Sequence, residues 1–141
     1  MAGTGGLSLV FVYGSLRRGG AAHGRLRGAE LIAPARYQGR LYDLGEYPGA
    51  VPSADAGDAV HGELYRLPAV GAEALLARLD RYEGPEYRRE RARVGLEARG
   101  EARECWIYLY RGDLDGRRRV ASGDWGRSLP PRGAPAGGQQ G

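Results

Sequence analysis

The sequence predicts an α+β domain built on a curved, mainly antiparallel sheet or small β-barrel with flanking helices. Two observations carry this. Short apolar runs rich in β-branched and aromatic residues recur along the chain between Gly- and Pro-containing turns. A secure helical spacing occurs once, with Ala72, Leu75, Leu76 and Leu79 at i, i+3, i+4 and i+7. At 141 residues and 42% hydrophobic content the chain is long enough for one domain with a real core. Its expected bounds are 7–127. Residues 128–141, a Pro/Gly/Ala/Gln tail, carry too little apolar surface to offset their ordering entropy and are expected to be disordered.

Taken in order, Leu9-Val10-Phe11-Val12 reads as a buried strand that stops at Tyr13-Gly14-Ser15. Residues 19–28 are small and flexible, with a short helix expected around Arg25–Leu31. Ala35–Leu44 suits a strand with loose alternation. Gly45–Ser53, pinned by two prolines and two glycines, reads as a loop. Val60–Leu67 is a further strand in which Gly62 marks a bulge or a close backbone approach. The helix that follows is stopped by Gly84 as its C′ residue and by Pro85 beyond it. Arg88–Glu97 and Glu104–Arg111 form a hairpin about Ala98-Arg99-Gly100. Ser122-Gly123-Asp124-Trp125 is the last ordered segment, with Trp125 pinning it to the body.

The charge balance is +4, and every one of the 21 basic residues is arginine. These arginines are interleaved with acids, as in Arg88-Arg89-Glu90-Arg91, which is the pattern of a solvated, salt-bridged face. The run Arg117-Arg118-Arg119 is too thin a footprint for nucleic acid. No apolar stretch approaches 18 residues, so no membrane span is expected. The start of the chain has no positive region and no cleavage-like end, which leaves a cytoplasmic address as the expectation. The one cysteine, Cys105, lies in an apolar run and reads as a buried structural thiol.

Two features bear on chemistry. A strand ending at glycine exposes successive backbone N–H groups, a concavity suited to an anion or an oxyanion. Ser15 admits two readings, as a nucleophile with His23 or His61 as base, or as a polar contact beside those N–H groups. The second is favoured, because the nucleophile-elbow spacing of Gly-x-Ser-x-Gly is absent. Glu83 stands in the last turn of the helix, where the helix dipole disfavours a carboxylate and raises its pKa. It is either a general acid/base or an exposed carboxylate paired with Arg81, Arg88 or Arg89. The two histidines and Cys105 show no metal-ligand spacing, and no phosphate-binding glycine motif occurs, so neither metal nor cofactor is expected.

With these residues in place, the chain resembles the γ-glutamylcyclotransferase-like family, particularly its small bacterial members and the γ-glutamylamine cyclotransferases. The matching segments are Val10–Gly19, Tyr47–Val51, Val60–Tyr65, Leu79–Gly84 with Tyr87-Arg88-Arg89, and Ser122–Trp125. They span roughly residues 8 to 126 in the same order. The chain departs from many members at Ala21-Ala22-His23, where those carry Pro-Asn-His or a similar segment. The resemblance implies a mixed fold around a small barrel, a small-molecule γ-glutamyl substrate and no cofactor. It also implies Glu83 as the acid/base, with substrate held by Tyr13, Gly14, Ser15 and Leu16. The implied reaction is cyclisation of a γ-glutamyl group to 5-oxoproline with release of an amine or amino acid. The alternatives are a non-catalytic small-ligand module of the same fold and an arginine-rich nucleic-acid binder.

Overall fold

In the computed structural model, which describes residues 7–20, 22–98 and 100–128, the first strand, β1 (Leu9–Val12), is buried on both faces. Alternation along it explains why. Phe11 points into one core cluster with Leu64, Val94, Cys105 and Ile107. Val10 and Val12 join a second cluster with Leu75, Leu76 and Leu79 of a helix. β1 runs antiparallel to β5 (Val60–Arg66), Phe11 opposite Leu64, and parallel to β7 (Ala102–Tyr110), Phe11 opposite Ile107.

Strands β2 (Glu30–Tyr37) and β6 (Tyr87–Leu96) complete a closed barrel in the order β1-β5-β2-β6-β7. The β1–β7 seam is parallel and the others are antiparallel, so the barrel is mixed, as expected. Gly62 of β5 is a close-approach position. A Cβ there would lie 2.3 Å from the Val12 carbonyl oxygen and 2.7 Å from the Phe11 ring. Helix α1 (Ala72–Glu83) lays its Leu75, Leu76 and Leu79 stripe on the outside of the barrel. It ends as predicted at Gly84, whose φ of +86° is the glycine-favouring region and whose N–H bonds the Asp80 carbonyl at 3.1 Å.

The remaining strands form a separate small sheet in the order β4-β3-β8, from β3 (Gly39–Asp43), β4 (Pro48–Pro52) and β8 (Arg118–Arg119). A short helix, α2 (Trp125–Ser128), follows, and its Trp125 is buried in the barrel-side core. Arg118 pairs with Asp43 at 2.7 Å and Arg119 with Asp58 at 2.8 Å, while Arg117 donates to the Leu44 carbonyl. The arginine run therefore ties the small sheet together. Cys105 is fully buried, and desolvation pushes its thiol up to about 12.

Three expectations are corrected. Segment 45–53 contains strand β4, because β4 is an edge strand and its prolines stand at its two ends, where no ladder N–H is needed. The strand expected over 35–44 is two strands. They divide at Gln38, next to a Gly39 whose added Cβ would meet the Val51 carbonyl at 2.5 Å. The helix expected at 25–31 is a single 3₁₀ turn, His23–Leu26, and residues 30–31 open β2 before a register shift between Leu31 and Ala33. Of the tail, Ser128 closes α2, and residues 129–141 lie outside the described residues.

Candidate active site

Where β1 ends, the chain turns through Tyr13-Gly14-Ser15-Leu16, and this turn forms one wall of a cavity of about 150 Å³. The last turn of α1 contributes Tyr82 and Glu83, the segment before and at the start of β4 contributes Tyr47 and Pro48, and Tyr87 and Tyr108 complete the lining with Phe11 and Val12. All five residues singled out in the sequence, Tyr13, Gly14, Ser15, Leu16 and Glu83, thus face one cavity. They meet because Leu75, Leu76 and Leu79 of α1 share one core cluster with Val10 and Val12 of β1, which brings the helix C-terminus near the end of the strand.

The turn is tightly braced. Arg17 N–H donates to the Gly14 carbonyl at 3.0 Å, and Ala22 N–H to the Ser15 carbonyl at 3.0 Å. The Arg18 amide donates to Glu63 at 2.7 Å, and the Arg17 guanidinium to Asp124 at 2.9 Å. The amides of Ser15 and Leu16 have no backbone partner among the described residues outside the strand ladders. Gly14 lies close against its neighbour: a Cβ there would stand 3.0 Å from Cγ and 3.1 Å from Cδ of Pro48, which would have to give by a few tenths of an ångström.

Tyr13 is more a strut than a free hydroxyl. Its OH donates to the Tyr108 carbonyl at 2.6 Å and accepts from the Ala50 amide at 3.1 Å, joining barrel to small sheet. Tyr87 does the same with a bond to the Pro48 carbonyl at 2.6 Å. Burial, with the Glu83 charge adding to it, holds the Tyr13 phenol well above its ordinary pKa, so it stays protonated. What Tyr13 offers the cavity is its ring.

Two carboxylates three residues apart on α1 have opposite environments. Burial favours the neutral form of Asp80, yet the Arg89 guanidinium (2.8 and 3.2 Å) and the Tyr108 hydroxyl (2.5 Å) outweigh it, and its pKa falls below the ordinary value. Glu83 has no ion-pair or hydrogen-bond partner among the described residues, and desolvation alone pushes it from 4.5 up to about 7. Of the three arginines named as partners from the sequence, Arg89 is taken by Asp80, and among the described residues neither Arg81 nor Arg88 forms an ion pair with Glu83. The helix dipole acts in the same direction, but burial is the cause of the shift. Neighbouring carboxyls driven apart in pKa are the usual mark of divided roles, one structural and one available for proton transfer.

The nucleophilic reading of Ser15 does not assemble. Its Oγ bonds the Tyr82 hydroxyl at 2.7 Å, while His23 Nδ1 bonds the Leu16 carbonyl and His61 Nδ1 bonds Glu97. Tyr47, Tyr82 and Tyr108 were not legible as cavity residues. Tyr82 had a local signal in standing next to Glu83, whereas Tyr108 depends on the β6–β7 register.

With a braced, donor-bearing turn and an unpaired, half-buried carboxyl sharing a cavity on a closed mixed barrel, comparison with known proteins is informative. The family described as gamma-glutamyl cyclotransferase, AIG2-like, matches residues 10–127. The chain belongs to this family. It is 39% identical over 119 residues to the Escherichia coli K12 gamma-glutamylcyclotransferase family protein YtfP, covering 82% of this chain and 94% of that one. The solution structure of E. coli ytfP superposes with a TM-score of 0.56 at 38% identity, over 83% of this chain and 95% of that one. YkqA from Bacillus subtilis gives a TM-score of 0.69 at 26% identity, over 85% of this chain and 40% of that one. An AIG2-like protein from mouse shares the fold, with a TM-score of 0.64 at 24% identity over 77% of this chain and 80% of that one. Among the described residues no helix is long and apolar enough to cross a membrane.

Proposed function

We propose that the protein is a γ-glutamyl cyclotransferase that converts γ-glutamyl amines or γ-glutamyl amino acids to 5-oxoproline and a free amine. The observation that carries this reading is Glu83, an unpaired, desolvated carboxyl in the same cavity as the open amides of Ser15 and Leu16.

Such a substrate contains its own nucleophile. Binding it folded places the α-nitrogen against the γ-carbonyl, where intramolecularity supplies effective molarities of ~10⁵ M or more. Glu83 takes a proton from the α-ammonium, and the freed amine attacks the γ-carbon to close the five-membered ring. The tetrahedral intermediate then collapses with cleavage of the original amide C–N bond. Glu83 returns its proton to the departing nitrogen, and the ring nitrogen gives up its second proton through the same carboxylate to the released amine, which leaves as its ammonium, so protons balance and no co-reactant is needed. With its pKa near 7, Glu83 accepts a proton from an α-ammonium of pKa about 8 at a cost of about one unit, against more than three for an ordinary glutamate. The Ser15 and Leu16 amides give the turn two donors for a negatively charged substrate oxygen. The rings of Tyr13 and Tyr87 exclude water from the reacting atoms.

The test is 5-oxoproline release from a panel of γ-glutamyl amines and γ-glutamyl amino acids by the native protein and by Glu83→Gln. Release by the first and not the second is the expected result. Equal release by both overturns the assignment of Glu83, and release by neither overturns the activity.

A further inference from the structure

A cavity of about 150 Å³ is the size that takes a benzene-sized body. On the cyclotransferase reading the γ-glutamyl half of the substrate occupies it, which leaves the mouth for the other half. The mouth has a distinctive composition. Among the described residues the large apolar side chains left exposed are Tyr47 (46%), Tyr82 (37%) and Val70, and both tyrosines line this cavity. They come from different elements, Tyr47 from the segment before β4 and Tyr82 from the last turn of α1.

Each ring has a neighbour that limits its motion, Tyr82 more than Tyr47. The Tyr82 hydroxyl bonds Ser15 Oγ at 2.7 Å, and the Arg25 guanidinium lies over the ring, 4.4 Å from its centroid. Tyr47 packs on Tyr87 with centroids 6.3 Å apart, and Tyr87 is locked by its bond to the Pro48 carbonyl and by an edge contact with Tyr110 at 5.5 Å. Exposed rings ordinarily lose rotamer freedom when a ligand stacks on them. Here the Tyr82 ring is already tethered and the Tyr47 ring backed by Tyr87, which lowers that cost and suits a stacking surface.

We propose that Tyr47 and Tyr82 form the subsite for the leaving half of the substrate, and that this half is aromatic: a γ-glutamyl conjugate of an aromatic amine or aromatic amino acid. The proposal rests on the cyclotransferase reading of the cavity. Each ring contributes roughly two- to tenfold in kcat/KM through stacking beyond simple area burial.

The experiment compares γ-glutamyl-phenylalanine, γ-glutamyl-cyclohexylalanine and γ-glutamyl-alanine as substrates of the native protein and of Tyr47→Leu, Tyr82→Leu and Tyr82→Phe. The same compounds are titrated calorimetrically against Glu83→Gln. The expected result is a preference for the phenyl over the saturated ring of about tenfold, with alanine poorest. That ratio falls toward one in the leucine variants and persists in Tyr82→Phe, which keeps the ring and loses the bond to Ser15. A variant that lowers all three substrates equally assigns Tyr82 to holding Ser15 and overturns the subsite. Turnover without aromatic preference also overturns it, while the cyclotransferase reading stands. Aromatic-selective binding without turnover supports the subsite and overturns the reaction. Neither binding nor turnover overturns both.

Discussion

Replacing Glu83 with glutamine should make the protein more stable, and by an amount that depends on pH. In the folded state the carboxyl titrates near 7, against 4.5 for the unperturbed group. Between those values the folded chain binds more protons than the unfolded chain, so stability falls as pH rises through the window. The penalty is absent below about pH 4.5 and complete above about pH 7. The shift of about 2.5 units corresponds to about 3 kcal/mol, and solvent screening of the partly exposed carboxyl brings this to about 2–3 kcal/mol. Glutamine keeps the shape and removes the charge. Urea denaturation at pH 8 should therefore show Glu83→Gln more stable than the native protein by that amount, and the gap should close at pH 4.5. A variant equal to or less stable than the native protein at pH 8 would refute the claim that Glu83 is held desolvated and unpaired.

The pH dependence of kcat/KM for 5-oxoproline release should rise to a plateau with a midpoint near 7, since the base must be ionised; a midpoint near 4.5 would show an ordinary, solvated carboxylate. Tyr13→Phe strips a donor from the Tyr108 carbonyl and an acceptor from the Ala50 amide, both buried, and should cost about 2–4 kcal/mol in urea denaturation. Gly62→Ala drives a methyl against the Val12 carbonyl at 2.3 Å, where neither backbone can yield cheaply. A loss of at least about 2 kcal/mol is expected, read as a lowered Tm, and an unchanged Tm would show that the barrel wall tolerates it.

Legibility in the sequence followed the range of the interactions. α1 with its glycine stop, strands β1 and β5, and the β6–β7 hairpin rest on periodicity and turn chemistry that operate within a dozen residues, and each was readable. Strand β4 was not, because Pro48 and Pro52 signal a loop unless the edge position beside β3 is known. Glu83 stood out because it contravenes a local rule at a helix terminus. The cause of its altered proton affinity was invisible, since Tyr13 and Tyr108 reach it from the end of β1 and from β7, far along the chain, and join Tyr87 just beyond the helix. Nor could the sequence indicate that Arg89 would be claimed by Asp80, leaving Glu83 alone.

The parallel seam between β1 and β7 has a kinetic consequence. β1 is four residues long and is flanked on one side by a strand some fifty residues later and on the other by one nearly a hundred later. β5 is made near the middle of the chain and β7 well into its second half, so one edge of β1 stays unpaired until β7 is made. The Tyr13–Leu16 turn begins where β1 ends, and acquires its bond to the Tyr108 carbonyl only when that last seam shuts. Barrel closure and assembly of the cavity are therefore one event. A refolding experiment that follows substrate binding should report the slowest phase of folding, with no earlier species competent to bind.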